Sequence, residues 1–241
     1  MADLRALQDG IVNSQIWKSV FRVGIPNTNR KRVLAVLGSL ILHLHPVKVR
    51  RSGVRMSYTW CMGGTSFFLF LVETVTGLLL MFYYRPTIEY AYFDIMDLRE
   101  QAPFGIMREM HRWGAHAMVI TIWLHMYRVF LTGSYKPPRE FNWGVGVILL
   151  VLTLLLSFTG YLLPWDQLAI WAVTVGTNMA GATPIIGDQV RFAIVGGFEI
   201  GDNTLIRWYV LHVIALPLLA ALFMVVHFWR IRKDGGIAGP L

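Results

Sequence analysis

The sequence predicts an all-α membrane protein: a bundle of four transmembrane helices preceded by an interfacial helix. Three observations carry that reading. The 241 residues are 55% hydrophobic with a mean hydropathy of +0.52, too apolar for an ordinary soluble domain. Four apolar runs, residues 58–84, 110–131, 143–163 and 208–229, are each long enough for the ~20-residue crossing of a ~30 Å hydrocarbon layer. Two of these runs carry histidines at nearly equal intervals, His111 with His125 and His212 with His227.

Composition narrows the function classes. A net charge of +8 is compatible with nucleic-acid binding, but the hydropathy assigns the basic residues to membrane topology instead; no nucleic-acid partner is expected. A single cysteine, Cys61, excludes an internal disulfide and any Cys-rich iron–sulfur or zinc site. The first thirty residues carry charges throughout, so no cleavable signal is expected.

Residues 1–57 form a basic extension, with ten Lys and Arg against only Asp3 and Asp9. Val12, Ile16 and Val20 recur at helical spacing with Lys18 and Arg22 beside them, the pattern of an amphipathic helix on a membrane surface. Residues 33–42 are apolar but too few to cross, and basic residues bracket them; they read as an interfacial or re-entrant segment. The candidate four-helix domain, residues 58–233, follows, with a tail at 234–241. Four crossings return the chain to its starting side. The extension, Lys136, Arg139, Arg230, Arg232 and Lys233 lie on that side, while the opposite loops and helix ends hold nine acids beside six arginines. The positive-inside rule therefore places both termini of this multi-pass protein in the cytoplasm or its equivalent. The second and fourth spans then run outside to inside, which pairs His111 with His212 near the outer face and His125 with His227 near the inner.

The interval between His111 and His125 is 14 residues. At 100° per residue this falls about 40° short of four turns, so both imidazoles share a helix face about 21 Å apart. Ionisable groups inside a bilayer are costly and concentrate at functional sites. A lone histidine there is often only hydrogen-bonded to a neighbouring helix; four at matching depths on two helices argue for metal ligation. His116 has no counterpart and reads as structural, and His43 and His45 as interfacial. Two imidazoles per site without a carboxylate or thiolate suit haem iron better than zinc or copper. With both axial positions filled, the centre transfers electrons and binds no substrate.

Glycines repeat the interval on the other two spans: Gly63 with Gly77, and Gly146 with Gly160, each 14 apart. Backbone without side chains at two levels suits a flat macrocycle packed between helices; helix–helix contact alone would favour shorter spacings. Arg108, Arg128 and Arg207 lie three to five residues from ligands and can neutralise haem propionates. Snorkelling to the interface is their alternative use.

From about Val54 onward the chain resembles the cytochrome b family of quinol–cytochrome c oxidoreductases, in the split form of cytochrome b6. The resemblance rests on Cys61-Met62-Gly63-Gly64, Thr76-Gly77, Tyr83-Tyr84-Arg85-Pro86, His111-Arg112-Trp113, Lys136-Pro137-Pro138-Arg139-Glu140, Gly160 through Pro164-Trp165-Asp166, and Ile231-Arg232-Lys233 followed by Gly239-Pro240-Leu241. The 15 residues from His212 to His227 also resemble the split form, since the full-length type has 14. The resemblance implies two b haems and a Q-cycle. Quinol is oxidised near the outer face, one electron passes to a Rieske iron–sulfur protein and onward to a c-type cytochrome or plastocyanin, and the other crosses through the two haems to reduce quinone inside. It implies a second cytochrome b subunit carrying the later helices, and a dimeric complex among membrane lipids. It also implies that Cys61 bonds a c-type haem through a single thioether at the inner quinone site, where Arg232 matches a basic residue. On its residues alone, Cys61 is equally a buried thiol or a lipid attachment point.

Two departures stand out. The 53 N-terminal residues are unlike the short start of cytochrome b6, and Glu73 stands in a span where the family usually has glutamine. Both favour a bacterial, menaquinol-type enzyme. The competing class is a dihaem b-type membrane anchor of another redox enzyme, such as formate dehydrogenase or hydrogenase, which need not show the twin glycine pairs. A proton-coupled transporter using intramembrane Glu and His is the more distant one.

Overall fold

A computed structural model describes residues 9–15, 17, 27–37, 50–101 and 103–237, and every regular element among the described residues is helical. Residues 9–13 are helical and include Val12; Ile16, Val20, His43, His45 and the Gly239-Pro240-Leu241 end lie outside the described residues. Helix α1 (Asn29–Leu37) takes the first part of the 33–42 segment, with Val33 and Leu34 exposed.

Among the described residues, three helices are long and apolar enough to cross a membrane: α3 (Met62–Met81), α6 (Glu140–Leu162) and the continuous helical stretch Asp202–Lys233. The fourth expected crossing, α5 (Phe104–Leu131), has ample length at 28 residues. Its composition is the difference, because three histidines, Arg112 and Arg128 interrupt the apolar run. On α3, Phe68, Leu71, Val75 and Leu78, with Phe82 just past its end, are exposed at helical spacing, an apolar face with no place in water.

The run 58–84 is not one helix. It begins with a short α2 (Met56–Thr59) and is broken at Trp60 and Cys61, both at φ 52°. Side chains with a Cβ rarely adopt that left-handed backbone, which no α-helix contains, so α3 starts afresh at Met62. The fourth run is modified too. After α9 (Asp202–Val210) comes a π-helical turn, Leu211–Ala215, and then α10 (Leu216–Lys233). Pro217 explains the widening: it has no N–H for the carbonyl four residues back, and its ring crowds that turn. A π-turn takes up one residue beyond the α count, so the 15-residue interval from His212 to His227 turns as 14 residues of unbroken α-helix do.

The chain divides into two compact units. The first comprises Met1–Met62, Trp123–Leu150 and Leu222–Leu241. In it Arg230 is fully buried, pairs with Asp234 at 3.1 Å and lies over the Phe141 ring at 5.1 Å. The chain turns after α10 through Gly235 and Gly236, at φ 85° and 84°, which lets the Asp234 and Gly236 carbonyls accept from Arg139 Nη2 at 3.3 and 3.4 Å.

The second unit comprises Gly63–Ile122 and Val151–Ala221. Its core gathers Tyr84, Ala91, Leu162, Trp165, Val173, Leu205 and Trp208. Here the Pro164-Trp165-Asp166 sequence has a clear structural use. Proline ends α6, Trp165 turns the chain at φ 51° and is buried, and Asp166 accepts from the Ala169 N–H at 2.8 Å as the N-cap of α7 (Gln167–Gly181). Tyr84 donates to the Leu163 carbonyl at 2.6 Å, tying the segment after α3 to the end of α6. Two more helices, α4 (Ala91–Glu100) and α8 (Gly187–Val195), occupy stretches read from sequence only as loops.

Candidate metal centres

In the second unit, α3, α5, α6 and the π-turn bring His111 and His212 together, with ring centroids 6.2 Å apart and planes at 84°. The hydrogen bonds fix the ring tautomers. His212 Nδ1 lies 3.1 Å from the Leu156 carbonyl, which can only accept, so Nδ1 carries the proton and donates. Thr159 Oγ1, 3.1 Å from the same nitrogen, already donates to Leu155 at 2.8 Å and is left as a second acceptor. His111 repeats the arrangement. Thr76 Oγ1 donates to the Val72 carbonyl at 2.7 Å and stands 2.9 Å from His111 Nδ1, while Glu73 Oε2 stands 3.1 Å from it. With both Nδ1 atoms donating, each neutral ring keeps its Nε2 lone pair for a metal, the arrangement that orients metal-ligating histidines generally.

The glycines do something sharper than leave open space. A Cβ on Gly77 would lie 3.1 Å from His111 Cε1, and one on Gly160 would lie 2.6 Å from His212 Cε1. The helices without ligands therefore pack closely against the imidazoles, tightly at Gly77 and, at Gly160, nearer than a Cβ allows without shifting the ring. Gly114 plays a related part, since a Cβ there would collide with the Glu73 carboxyl.

In the first unit, His125 and His227 have ring centroids 6.5 Å apart at 77°. A Cβ on Gly146 would meet His227 Cε1 at 3.8 Å, an ordinary contact, so this glycine is less constrained than Gly160. The Arg128 guanidinium lies over the Tyr58 ring at 4.5 Å. Its Nε and Nη2 are buried with no hydrogen-bond partner among the described residues. Cys61 is a free, exposed thiol whose N–H donates to Thr59 Oγ1 at 3.2 Å. Arg232 is half-buried in the last turn of α10.

The other predicted residues have the following neighbours. Gly63 is half-buried in the first turn of α3. Arg108 pairs with Glu109 at 2.9 Å. Arg207 donates to the Ala193 carbonyl at 3.4 Å and packs beneath Gly196, which turns at φ 80°. His116 bonds its own helix, Nδ1 to the Arg112 carbonyl at 2.6 Å. Sequence reading quoted Thr76 only as part of a motif, with no role, and passed over Thr159. Each stands one residue before a singled-out glycine, and that repeated Thr-Gly pair was the available signal.

The two ring separations fit a single metal atom held between each pair. Bonds of about 2 Å on either side of such an atom leave the remaining distance to the two ring radii. Among the described residues no group of three or more His, Cys, Asp or Glu gathers around a common point. Two imidazoles per centre thus call for a group that brings its own equatorial ligands, as haem does, and the unpaired nitrogens of Arg128 suit an anionic substituent beside the second centre.

Comparison with known proteins agrees. The family model Cytochrome b/b6/petB matches residues 47–235. Cytochrome b6 of Porphyra purpurea is 46% identical over 183 residues, covering 76% of this chain and 85% of that protein; cytochrome b6 of Gracilaria tenuistipitata var. liui gives the same figures. Among solved structures, a chain described as "Hyperthermophilic respiratory Complex III" superposes with a TM-score of 0.68 at 27% identity. The match covers 86% of this chain and 54% of that one, so the present chain spans about half its length. With its histidine pairs, its threonine–glycine supports and these relatives, the chain belongs to the cytochrome b/b6 family.

Proposed function

We infer that this chain is the cytochrome b subunit of a quinol–cytochrome c (or plastocyanin) oxidoreductase. It passes electrons from an outer quinol-oxidising site, through two bis-histidine b haems, to an inner quinone-reducing site. The observation that carries this reading is the pair of facing imidazole couples, at 6.2 and 6.5 Å. A haem bound by two histidines supplies a one-electron redox centre without an open coordination site. The chain's own residues do the rest. His111 and His212, with Nδ1 protons held by Thr76, Thr159 and Leu156, present Nε2 to one iron; His125 and His227 serve the other. Gly77 and Gly160 admit the rings, and Arg128 neutralises a propionate.

In this reading α5 is the fourth crossing, its histidines satisfied by iron, and both termini face the cytoplasm. Cys61 holds a c-type haem by one thioether beside the inner quinone, a use favoured by its exposed thiol at the break before α3. The quinone is of the menaquinone type. A Rieske protein, a c-type cytochrome and a second subunit with the later helices complete a dimeric complex.

The test is a dithionite-reduced minus oxidised spectrum of the purified protein with haem staining of a denaturing gel. Two b haems and one covalent haem are expected. His111→Ala and His212→Ala should each remove the same b haem, and Cys61→Ala should erase the stain while sparing both. Loss of different haems in the two histidine variants would refute the pairing.

A further inference from the structure

Glu73 is a carboxyl group placed within an apolar helix and half-buried, where an ionisable side chain is expensive and generally serves a purpose. Its surroundings form a fitted slot. Oε2 lies 3.1 Å from His111 Nδ1, Oε1 is buried, and the carboxyl fills the volume that a Cβ on Gly114 would need. Gly114 is buried and stands three residues after His111, on the same face of α5. The slot therefore comprises a glycine that admits the carboxyl and a histidine nitrogen 3.1 Å from it, whose hydrogen bond goes to Thr76 Oγ1 at 2.9 Å. His212, the opposite ligand, has only uncharged acceptors on its Nδ1, Leu156 and Thr159.

We propose that Glu73 is a positioning residue for the His111/His212 centre, its carboxyl oxygen standing 3.1 Å from His111 Nδ1, beside the Thr76 hydroxyl that accepts the Nδ1 proton, so as to hold that ring and strengthen it as an electron donor to iron. The proposal rests on the haem reading above. A carboxyl group against the outer N–H of a metal-bound imidazole raises the ligand's basicity more than an amide in the same place does. A more basic axial ligand stabilises the oxidised metal, so the centre's midpoint potential is held down. The effect belongs to one centre only, because Glu73 engages His111 and no other predicted ligand.

The test is a potentiometric titration of both b haems, with low-temperature EPR of the oxidised protein, in the intact complex. The midpoint missing from the His212→Ala protein identifies this centre. Glu73→Gln should shift that midpoint upward and move its EPR g-values, leaving the other haem unchanged. Gly114→Ala, whose new methyl group takes the place of the carboxyl, should produce an upward shift of the same haem with the carboxyl still in the chain. Unchanged midpoints in both variants overturn the proposal. Equal shifts of both haems also overturn it, since a loosened fold rather than a positioned ligand would then be responsible. An unsubstituted protein without b haem would instead overturn the reading beneath it.

Discussion

Substituting Gly160 and Gly146 by alanine separates the two centres at the level of single atoms. The Gly160 methyl group would lie 2.6 Å from His212 Cε1, a distance that real contacts do not reach, whereas the Gly146 methyl would lie 3.8 Å from His227 Cε1. Gly160→Ala should therefore displace the His212 ring and lose the b haem it holds. Gly146→Ala should keep both haems, and the b-band amplitude of each purified protein checks this. The histidines and glycines were legible in the sequence because helical spacing leaves a strong trace at 14-residue intervals. The threonine and carbonyl partners of Nδ1 were not, since a hydrogen bond between helices depends on side-chain direction, which periodicity does not encode. Arg108 and Arg207 were legible as basic residues near ligands, yet proximity in sequence could not say that Glu109 and the Ala193 carbonyl engage them.

At the level of elements, the turn between α6 and α7 concentrates several functions in three residues. Asp166→Ala removes the side-chain acceptor of the Ala169 N–H and should cost about 1 kcal/mol of stability, seen as a lower thermal midpoint with an unchanged haem spectrum. Trp165, buried in the core at φ 51°, is the residue of this turn least open to substitution. The long helices were legible from their apolar runs, but their ends were less so. The break at Trp60 and Cys61 follows from local backbone geometry, and α4, α7 and α8 were hidden inside stretches whose mixed composition reads as loop. Their apolar residues, among them Ala91, Ala169 and Val173, complete a core that exists only once the chain is folded.

For the molecule as a whole, acid should act first on the second unit's polar connections. Asp94 is buried and accepts from Arg85 Nε, Nη2 and backbone N–H at 2.6 to 3.2 Å. The Arg85 side-chain hydrogen bonds hold its carboxyl below the ordinary carboxylate range, the backbone N–H adding to them against the opposing effect of burial. A carboxylate depressed in the folded state contributes stability that is complete above the unfolded value of about 4 and is lost as pH falls through the lower, folded one. The native protein should thus lose stability below about pH 4 more steeply than Asp94→Asn, which lacks that contribution at every pH; thermal melts across pH in detergent check it. Salt should weaken the effect, since Arg85 is largely exposed.

The π-turn at Leu211–Ala215 bears on how related chains are compared. Ligand phase along this helix is set by turns completed, and one residue can be stored in a widened turn without changing it. Two sequences can therefore differ by a residue between His212 and His227 and still present the same donors. An alignment that forbids a gap there will put one of the two histidines opposite a non-ligand, and will misjudge a chain that is equivalent in what it holds.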